Sequence, residues 1–178
     1  MSNEDTTLAP FKHAPTVDIS TWYKGILSTK LATDENTGGA FDLMLGNMKR
    51  GTEPPPHLHT REHELFYVLE GSMDAYCEDQ VFHLEPGECV FLPKGLAHAF
   101  LITSPEIRTL TLITPGGFWK TVAPMAVPAE KMEIPSDAVT YATANLDETI
   151  QRFVEHGLFL LSPEEIAQQM PAYPHRLA

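Results

Sequence analysis

The chain has 178 residues, 43% of them hydrophobic, which suits one domain with its own core and a small appendage. Twelve Lys plus Arg against 24 Asp plus Glu give a formal charge of −12, and this argues against a nucleic-acid backbone or an anionic membrane as main partner, since both need clustered cations. Uncharged stretches such as Gly95–Pro105 fall far short of the roughly twenty apolar residues of a membrane span, and the acidic start Met1-Ser2-Asn3-Glu4-Asp5 has no apolar run behind it. With only Cys77 and Cys89 there is no disulfide scaffold, so the expectation is a soluble, cytoplasmic protein.

Prolines are absent between Pro15 and the triplet Pro54-Pro55-Pro56, and again from there to Pro86, which leaves stretches where strands pair without losing a donor. The first strand predicted there is Phe41–Met48, and the apolar run Leu65–Leu69 before Glu70-Gly71 is the next. Met73, Ala75 and Cys77 alternate with Ser72, Asp74, Tyr76 and Glu78, the period-two pattern of a strand with one buried face. Val81–Leu84 and Cys89–Leu92 follow across tight turns, then Ala97–Thr103 and Ile107–Thr114. Regular short strands between Gly/Pro turns predict a sandwich or small barrel. The last third changes character. A short helix is expected over Phe118–Ala123, a second from an Asn145 cap with Glu148 at N3 to Gly157, and a third from Ser162-Pro163 to Pro171. These helices are too short for a separate core and predict a lid or brace on the sheet.

Five of the eight histidines fall between His57 and His98, in Gly51-x5-His57-x-His59-x4-Glu64-x6-Gly71 and Gly87-x5-Pro93-x-Gly95-x2-His98. Residues two apart on a strand share a face, and the proline approach disfavours a helix at His57, so His57 and His59 can grip one ion together. Glu64 and His98 each start another apolar strand and can meet that pair across an interior. Three imidazoles and one carboxylate suit a divalent transition metal with positions left for water, dioxygen or substrate, and iron, manganese, nickel, cobalt and zinc all accept them.

The two segments resemble the paired motifs of the cupin superfamily, with fifteen residues here between Gly71 and Gly87. The resemblance implies an all-β cupin barrel (a double-stranded β-helix, or jelly roll) with short C-terminal helices. It divides the chain into an N-terminal arm with strands over 1–40, the barrel core over 41–114 and a helical extension over 115–178. One position departs: the family often carries asparagine four residues after the last histidine, where this chain has Ile102. Thr114-Pro115-Gly116-Gly117-Phe118, the run from His156 to Pro163, and Glu64–Gly71 look like bacterial single-domain quercetin 2,3-dioxygenase-like cupins. The activity implied is metal-dependent oxidative cleavage of a flavonol-like or other enolic aromatic small molecule by dioxygen. His57, His59 and His98 would be metal ligands, and Glu64 both ligand and catalytic base toward the enol proton. Single-domain cupins commonly pair, so a homodimer is expected.

Phe66, Val68, Phe100 and Ile102 share the parity of Glu64 and His98 and are expected to line an apolar substrate pocket, although the same pattern describes ordinary barrel core. His63 should point away from the site, and His83 reads as a strand-face residue. His13, His156 and His175 carry no signal. Cys77 and Cys89 read as buried small hydrophobes. His59-Thr60-Arg61-Glu62-His63 matches the H-x-x-E-H spacing of inverted zinc proteases, but that chemistry needs a helix, and this segment leads into a strand. Two rivals stand beside the dioxygenase: a sugar isomerase or epimerase, which would need cations such as Lys49, Arg50, Arg61, Lys94 or Arg108 at the pocket, and a non-catalytic small-molecule-binding cupin. A DNA-binding regulator is disfavoured by the charge and by the lack of a helix-turn-helix before Gly51.

Overall fold

The structure is a computed structural model that describes residues 8–136 and 146–174. The expected helix cap Asn145 and the C-terminal His175 lie outside the described residues, as does the acidic start. In chain order the strands are β1 (Ser20–Tyr23), β2 (Ile26–Ala32), β3 (Asp42–Lys49), β4 (His57–His59), β5 (His63–Glu70), β6 (Met73–Cys77), β7 (Gln80–Leu84), β8 (Cys89–Leu92), β9 (His98–Ile102), β10 (Glu106–Thr114), β11 (Val127–Pro128) and β12 (Leu158–Leu160). Helices α1 (Asp34–Thr37), α2 (Trp119–Val122), α3 (Leu146–Glu155) and α4 (Pro163–Gln169) are all short, and none is long and apolar enough to cross a membrane.

The strands form two antiparallel sheets, ordered β11-β1-β2-β3-β10-β5-β8 and β12-β4-β9-β6-β7. The main core draws on both, with Met48, Phe66, Val68, Met73, Leu84, Val90, Leu92, Phe100, Ile102 and Ile107 packed together. This is the expected all-β cupin fold, built as two stacked sheets with short helices after them. Every strand expected over 41–114 is present, with ends shifted by no more than two residues. The turn between β5 and β6 shows why its glycine is needed: Gly71 has φ +78°, and a Cβ there would lie 2.3 Å from the Glu106 carbonyl oxygen.

The outer face of β6 departs from the alternating pattern. Tyr76 is buried as well as Met73, Ala75 and Cys77, because Met170, Ile166 and Tyr173 from the C-terminal segment cover it, with Tyr173 edge-on at 5.2 Å. Helix α4 sits there because Ser162 and Glu165 form a reciprocal capping box with Pro163 in the first turn. A strand absent from the sequence reading, β12, pairs with β4 in the register Leu158↔His59 and Leu160↔His57. It continues the smaller sheet beyond the barrel core.

One buried carboxylate fixes the segment that follows β10. Asp42 is fully buried and accepts hydrogen bonds from the backbone N–H groups of Asp34 (2.8 Å), Gly117 (3.0 Å) and Trp119 (3.1 Å). It thereby ties α1 and the start of α2 to the start of β3. Replacing Asp42 by alanine strands three donors, and the protein is expected to lose about 3 kcal/mol, measured by denaturant unfolding. Asp42→Asn, which keeps one acceptor oxygen, should lose less.

Candidate metal centre and its cavity

Strand pairing places the four expected ligands between the sheets. His57 pairs directly with His98 across β4 and β9, and His59 lies two residues along β4 on the same face. Glu64, near the start of β5, faces them from the larger sheet. One potential ligand atom from each of the four lies within 4.8 Å of the others, and all four residues are buried. The His59 and His98 rings stack at 5.5 Å with their planes 2° apart.

Each imidazole is held from behind. Nδ1 of His57 donates to the Pro55 carbonyl (2.8 Å), Nδ1 of His98 to the Leu96 carbonyl (3.0 Å), and Nδ1 of His59 to the Glu62 carboxylate (3.4 Å). Carbonyls and carboxylates only accept, so these contacts put the proton on Nδ1 and leave Nε2 as a lone-pair donor. The Nε2 atoms of His59 and His98 are buried with no hydrogen-bond partner within the structure. Buried polar atoms are almost always satisfied. Two orphaned nitrogens aimed at a carboxylate therefore fit a cation that completes them, and the residues present suit a divalent transition metal.

The charges agree with that arrangement. Burial, reinforced by the neighbouring His98 and His59, pushes the His57 imidazole down to about 3, so it stays neutral and able to ligate. Burial alone would raise the Glu64 carboxyl. The surrounding imidazoles, His98 first and then His59 and His57, outweigh it and hold Glu64 below the ordinary carboxylate range.

Beside this cluster lies a cavity of about 150 Å³. An engineered apolar cavity of that size takes a benzene ring. His57, Glu64, Lys24, Ser28 and Thr111 are among its polar lining, with Phe66, Phe100, Phe118 and Trp119 among its aromatic walls. The Phe66 and Phe100 rings meet at 5.1 Å, and Phe118 lies 5.1 Å from the His59 ring. Val68 and Ile102 do not line it. They sit deeper in the barrel core, because each two-residue step along β5 or β9 moves about 6.6 Å away from the metal end. Ile102 is thus part of the packing, with its backbone N–H donating to Glu53. The sequence reading also missed walls contributed from outside the core strands: Tyr23 and Lys24, Phe118 and Trp119, Phe153 of α3, and Leu158 and Leu160 of β12.

Residues 44–114 match the sequence family described as Cupin domain. They form a cupin domain. Among curated proteins the chain is 28% identical over 88 residues to quercetin 2,3-dioxygenase of Bacillus subtilis, covering 49% of this chain and 26% of that one. It is 29% identical over 121 residues to quercetin 2,3-dioxygenase of Aspergillus japonicus, covering 61% of this chain and 32% of the relative. The chain therefore spans about a quarter to a third of the length of these two relatives. Among solved structures, Streptomyces PAC13 with uridine superposes with a TM-score of 0.50 at 16% identity, covering 62% of this chain and 88% of that one, which is a likeness of fold.

The remaining candidates of the cupin domain fall outside the cluster. His63 has the opposite parity to Glu64; its Nδ1 accepts from the Lys94 N–H, and its ring lies 5.4 Å from Phe91. His83 is exposed on β7 between Asp74 and Glu85, whose hydrogen bonds raise its pKa. The H-x-x-E-H segment spans the end of β4, a bend and the start of β5, with no helix. Cys77 is buried as expected, but Cys89 is exposed at the edge strand β8, so only one of the two is a core hydrophobe. Glu62, in the sequence merely part of that decoy spacing, is the buried carboxylate that orients His59.

Two outcomes follow from this geometry. Glu62→Ala should weaken retention of a divalent metal by about 10–100-fold, read by equilibrium dialysis with elemental analysis, whereas Glu62→Gln, which keeps an acceptor, should retain more. His57 binds its proton near 6.5 when unfolded and at about 3 when folded. The unfolded chain thus takes up the proton first as pH falls. Stability of the metal-free protein should be full above pH 6.5 and decline between 6.5 and about 3, by at most about 5 kcal/mol from this group. Denaturant midpoints across that range, in wild type and His57→Phe, measure the contribution.

Proposed function

We propose that the protein is a metal-dependent dioxygenase that cleaves a flavonol-like or other enolic aromatic small molecule. The observation that carries this reading is the position of Glu64: a carboxylate held ionised among three inward-facing imidazoles, on the wall of an aromatic-lined cavity. His57, His59, His98 and Glu64 are the residues that would hold a divalent metal. Such a metal would supply Lewis acidity toward an enolate oxygen and electron exchange with dioxygen. Both oxygen atoms end in the cleaved product, so no external reductant is needed.

The chain's own groups divide the remaining work. Phe66 and Phe100 provide flat apolar surface that orients an aromatic ring and excludes water from the Glu64 side. Glu64 accepts the enol proton at a carboxylate oxygen, and its Oε2 lies 3.5 Å from the unpartnered His98 Nε2. The aromatic walls favour a flat hydrophobic substrate over a phosphorylated sugar. None of the five cations named above for a sugar isomerase lines the cavity, where Lys24 stands instead: Lys49 pairs with Glu106, Arg108 with Glu70, Arg50 donates to the Ser104 carbonyl, and Arg61 and Lys94 are exposed elsewhere.

The same reading divides the chain into a barrel core over 41–114 that carries the four polar residues and flanking segments, 1–40 and 115–178, from which residues such as Tyr23, Phe118, Phe153 and Leu158 reach the cavity wall. The two unpaired cysteines fit a reducing compartment, which supports a cytoplasmic setting.

Glu64→Gln tests the central assignment. Three histidines remain to hold the metal, so bound metal should stay substantial, while oxygen consumption on a flavonol falls by roughly 10²–10⁴-fold. His57→Ala should lower metal content and turnover together. Full turnover in Glu64→Gln would remove Glu64 as the base. No oxygen uptake by wild type on any enolic aromatic, with each of iron, manganese, nickel, cobalt and zinc, would hand the site to the isomerase or binding-protein reading.

A further inference from the structure

We propose that Lys24 makes the cavity selective for aromatic ligands that carry a carboxylate, by pairing its ammonium with that group at the cavity's edge. The inference rests on the reading of this cavity as the substrate site and adds the charge class of what enters it.

The first observation is the backbone at the β1–β2 turn. Tyr23 pairs with Ile26, which leaves Lys24-Gly25 as a two-residue hairpin loop, and φ is +46° at Lys24 and +81° at Gly25. Positive φ at both loop positions is the type I′ geometry, in which the first position favours asparagine, aspartate or glycine. A lysine there is in a conformation that L side chains rarely adopt, shared among the described non-glycine residues with Glu78 alone, so the turn's own preference does not account for it. An outlier of this kind points toward function.

The second observation is where the side chain sits. Lys24 is half-buried and is, among the described residues, the only Lys or Arg that lines the cavity shared by His57 and Glu64. Three other lysines have carboxylate partners, Lys49 with Glu106, Lys120 with Asp34 and Lys131 with Glu133, while Lys30 lies over the Trp119 ring and does not line the cavity. Lys24 has none among the described residues, and its contact is the Tyr23 ring, 5.8 Å from Nζ to the centroid. A half-buried lysine beside apolar walls, with no protein anion paired to its ammonium among the described residues, is a binding position for a ligand oxyanion, and charge-assisted hydrogen bonds of that kind are the strong ones.

The third is the contrast with the rest of the molecule. At −12 the protein as a whole repels anions. Screening confines that field to about 8 Å at physiological salt, so a local cation decides what the cavity accepts. Tyr23 reinforces it: burial pushes its phenol up to about 12, leaving it a neutral donor beside the same wall. An aromatic carboxylate satisfies the whole arrangement, with its ring against Phe118 and Trp119 and its charge on Lys24.

The test is a cycle of two ligands and three proteins by isothermal titration calorimetry at pH 7.5, all loaded with the same metal. The ligands are 2-naphthoate and its uncharged isostere 2-naphthamide; the proteins are wild type, Lys24→Asn and Lys24→Arg. The naphthoate-over-naphthamide preference should fall by about tenfold in Lys24→Asn, with naphthamide affinity within twofold of wild type, and should survive in Lys24→Arg. The thermal midpoint of Lys24→Asn should equal or exceed that of wild type, because asparagine suits the turn, so lost binding cannot be attributed to unfolding. A preference unchanged in Lys24→Asn, or equal loss for both ligands, overturns the role of the charge while leaving the cavity as an aromatic site. If neither ligand binds wild type, the proposal fails together with the aromatic-site reading. Oxygen uptake on a flavonol, measured separately, shows whether the dioxygenase assignment stands in either case.

Discussion

The interior of this protein has to bury three imidazoles and a carboxylate in a space otherwise filled by methionine, leucine, valine and phenylalanine. Unpaired polar groups in such a place are costly. The chain answers with a fixed acceptor behind each ring: the Pro55 and Leu96 carbonyls and the Glu62 carboxylate. Those contacts set the tautomers, turn the Nε2 atoms inward and leave two of them without a protein partner. The local design is organised toward a cation rather than toward self-satisfaction.

That requirement explains the backbone around it. The prolines before β4 impose an extended approach, and the Pro55 carbonyl is then in position for the His57 ring. Pairing of β4 with β9 sets His57 opposite His98, while Glu64 arrives from the other sheet. A centre built across two sheets is only as well placed as the packing between them, which is why the residues beyond it along β5 and β9, Val68 and Ile102, belong to the core rather than to the cavity.

Much of this was legible in the sequence because strand chemistry is local. Alternation at Met73, Ala75 and Cys77, the glycine-marked turns and the histidine spacing each depend on a few neighbouring residues, and the strands and the clustering of His57, His59, Glu64 and His98 follow from them. What was not legible depends on distant chain. Parity places Phe66 and Val68 on one face but says nothing of depth along the barrel. Tyr76 reads as exposed until α4 arrives to cover it, and Leu158–Leu160 becomes a strand only because β4 offers a free edge. Glu62 looked like part of a false protease motif, since its meaning comes from the direction of the His59 ring. Lys24 drew no attention because a hairpin turn has no hydrophobic period to interrupt.

The cavity walls carry a consequence for how such a protein can diversify. Its chemical end is made by β4, β5 and β9, inside the 44–114 region that matches the cupin family, whereas Tyr23, Lys24, Phe118, Trp119, Phe153, Leu158 and Leu160 all come from outside it. The four-residue cluster is thus encoded in one stretch of chain and much of the cavity wall in others, joined through anchors such as Asp42. Drift in the flanks can retune which molecules are admitted without disturbing a single group at the centre. Two proteins alike in their barrels can therefore differ in diet, and the informative positions for telling them apart lie where family resemblance is weakest.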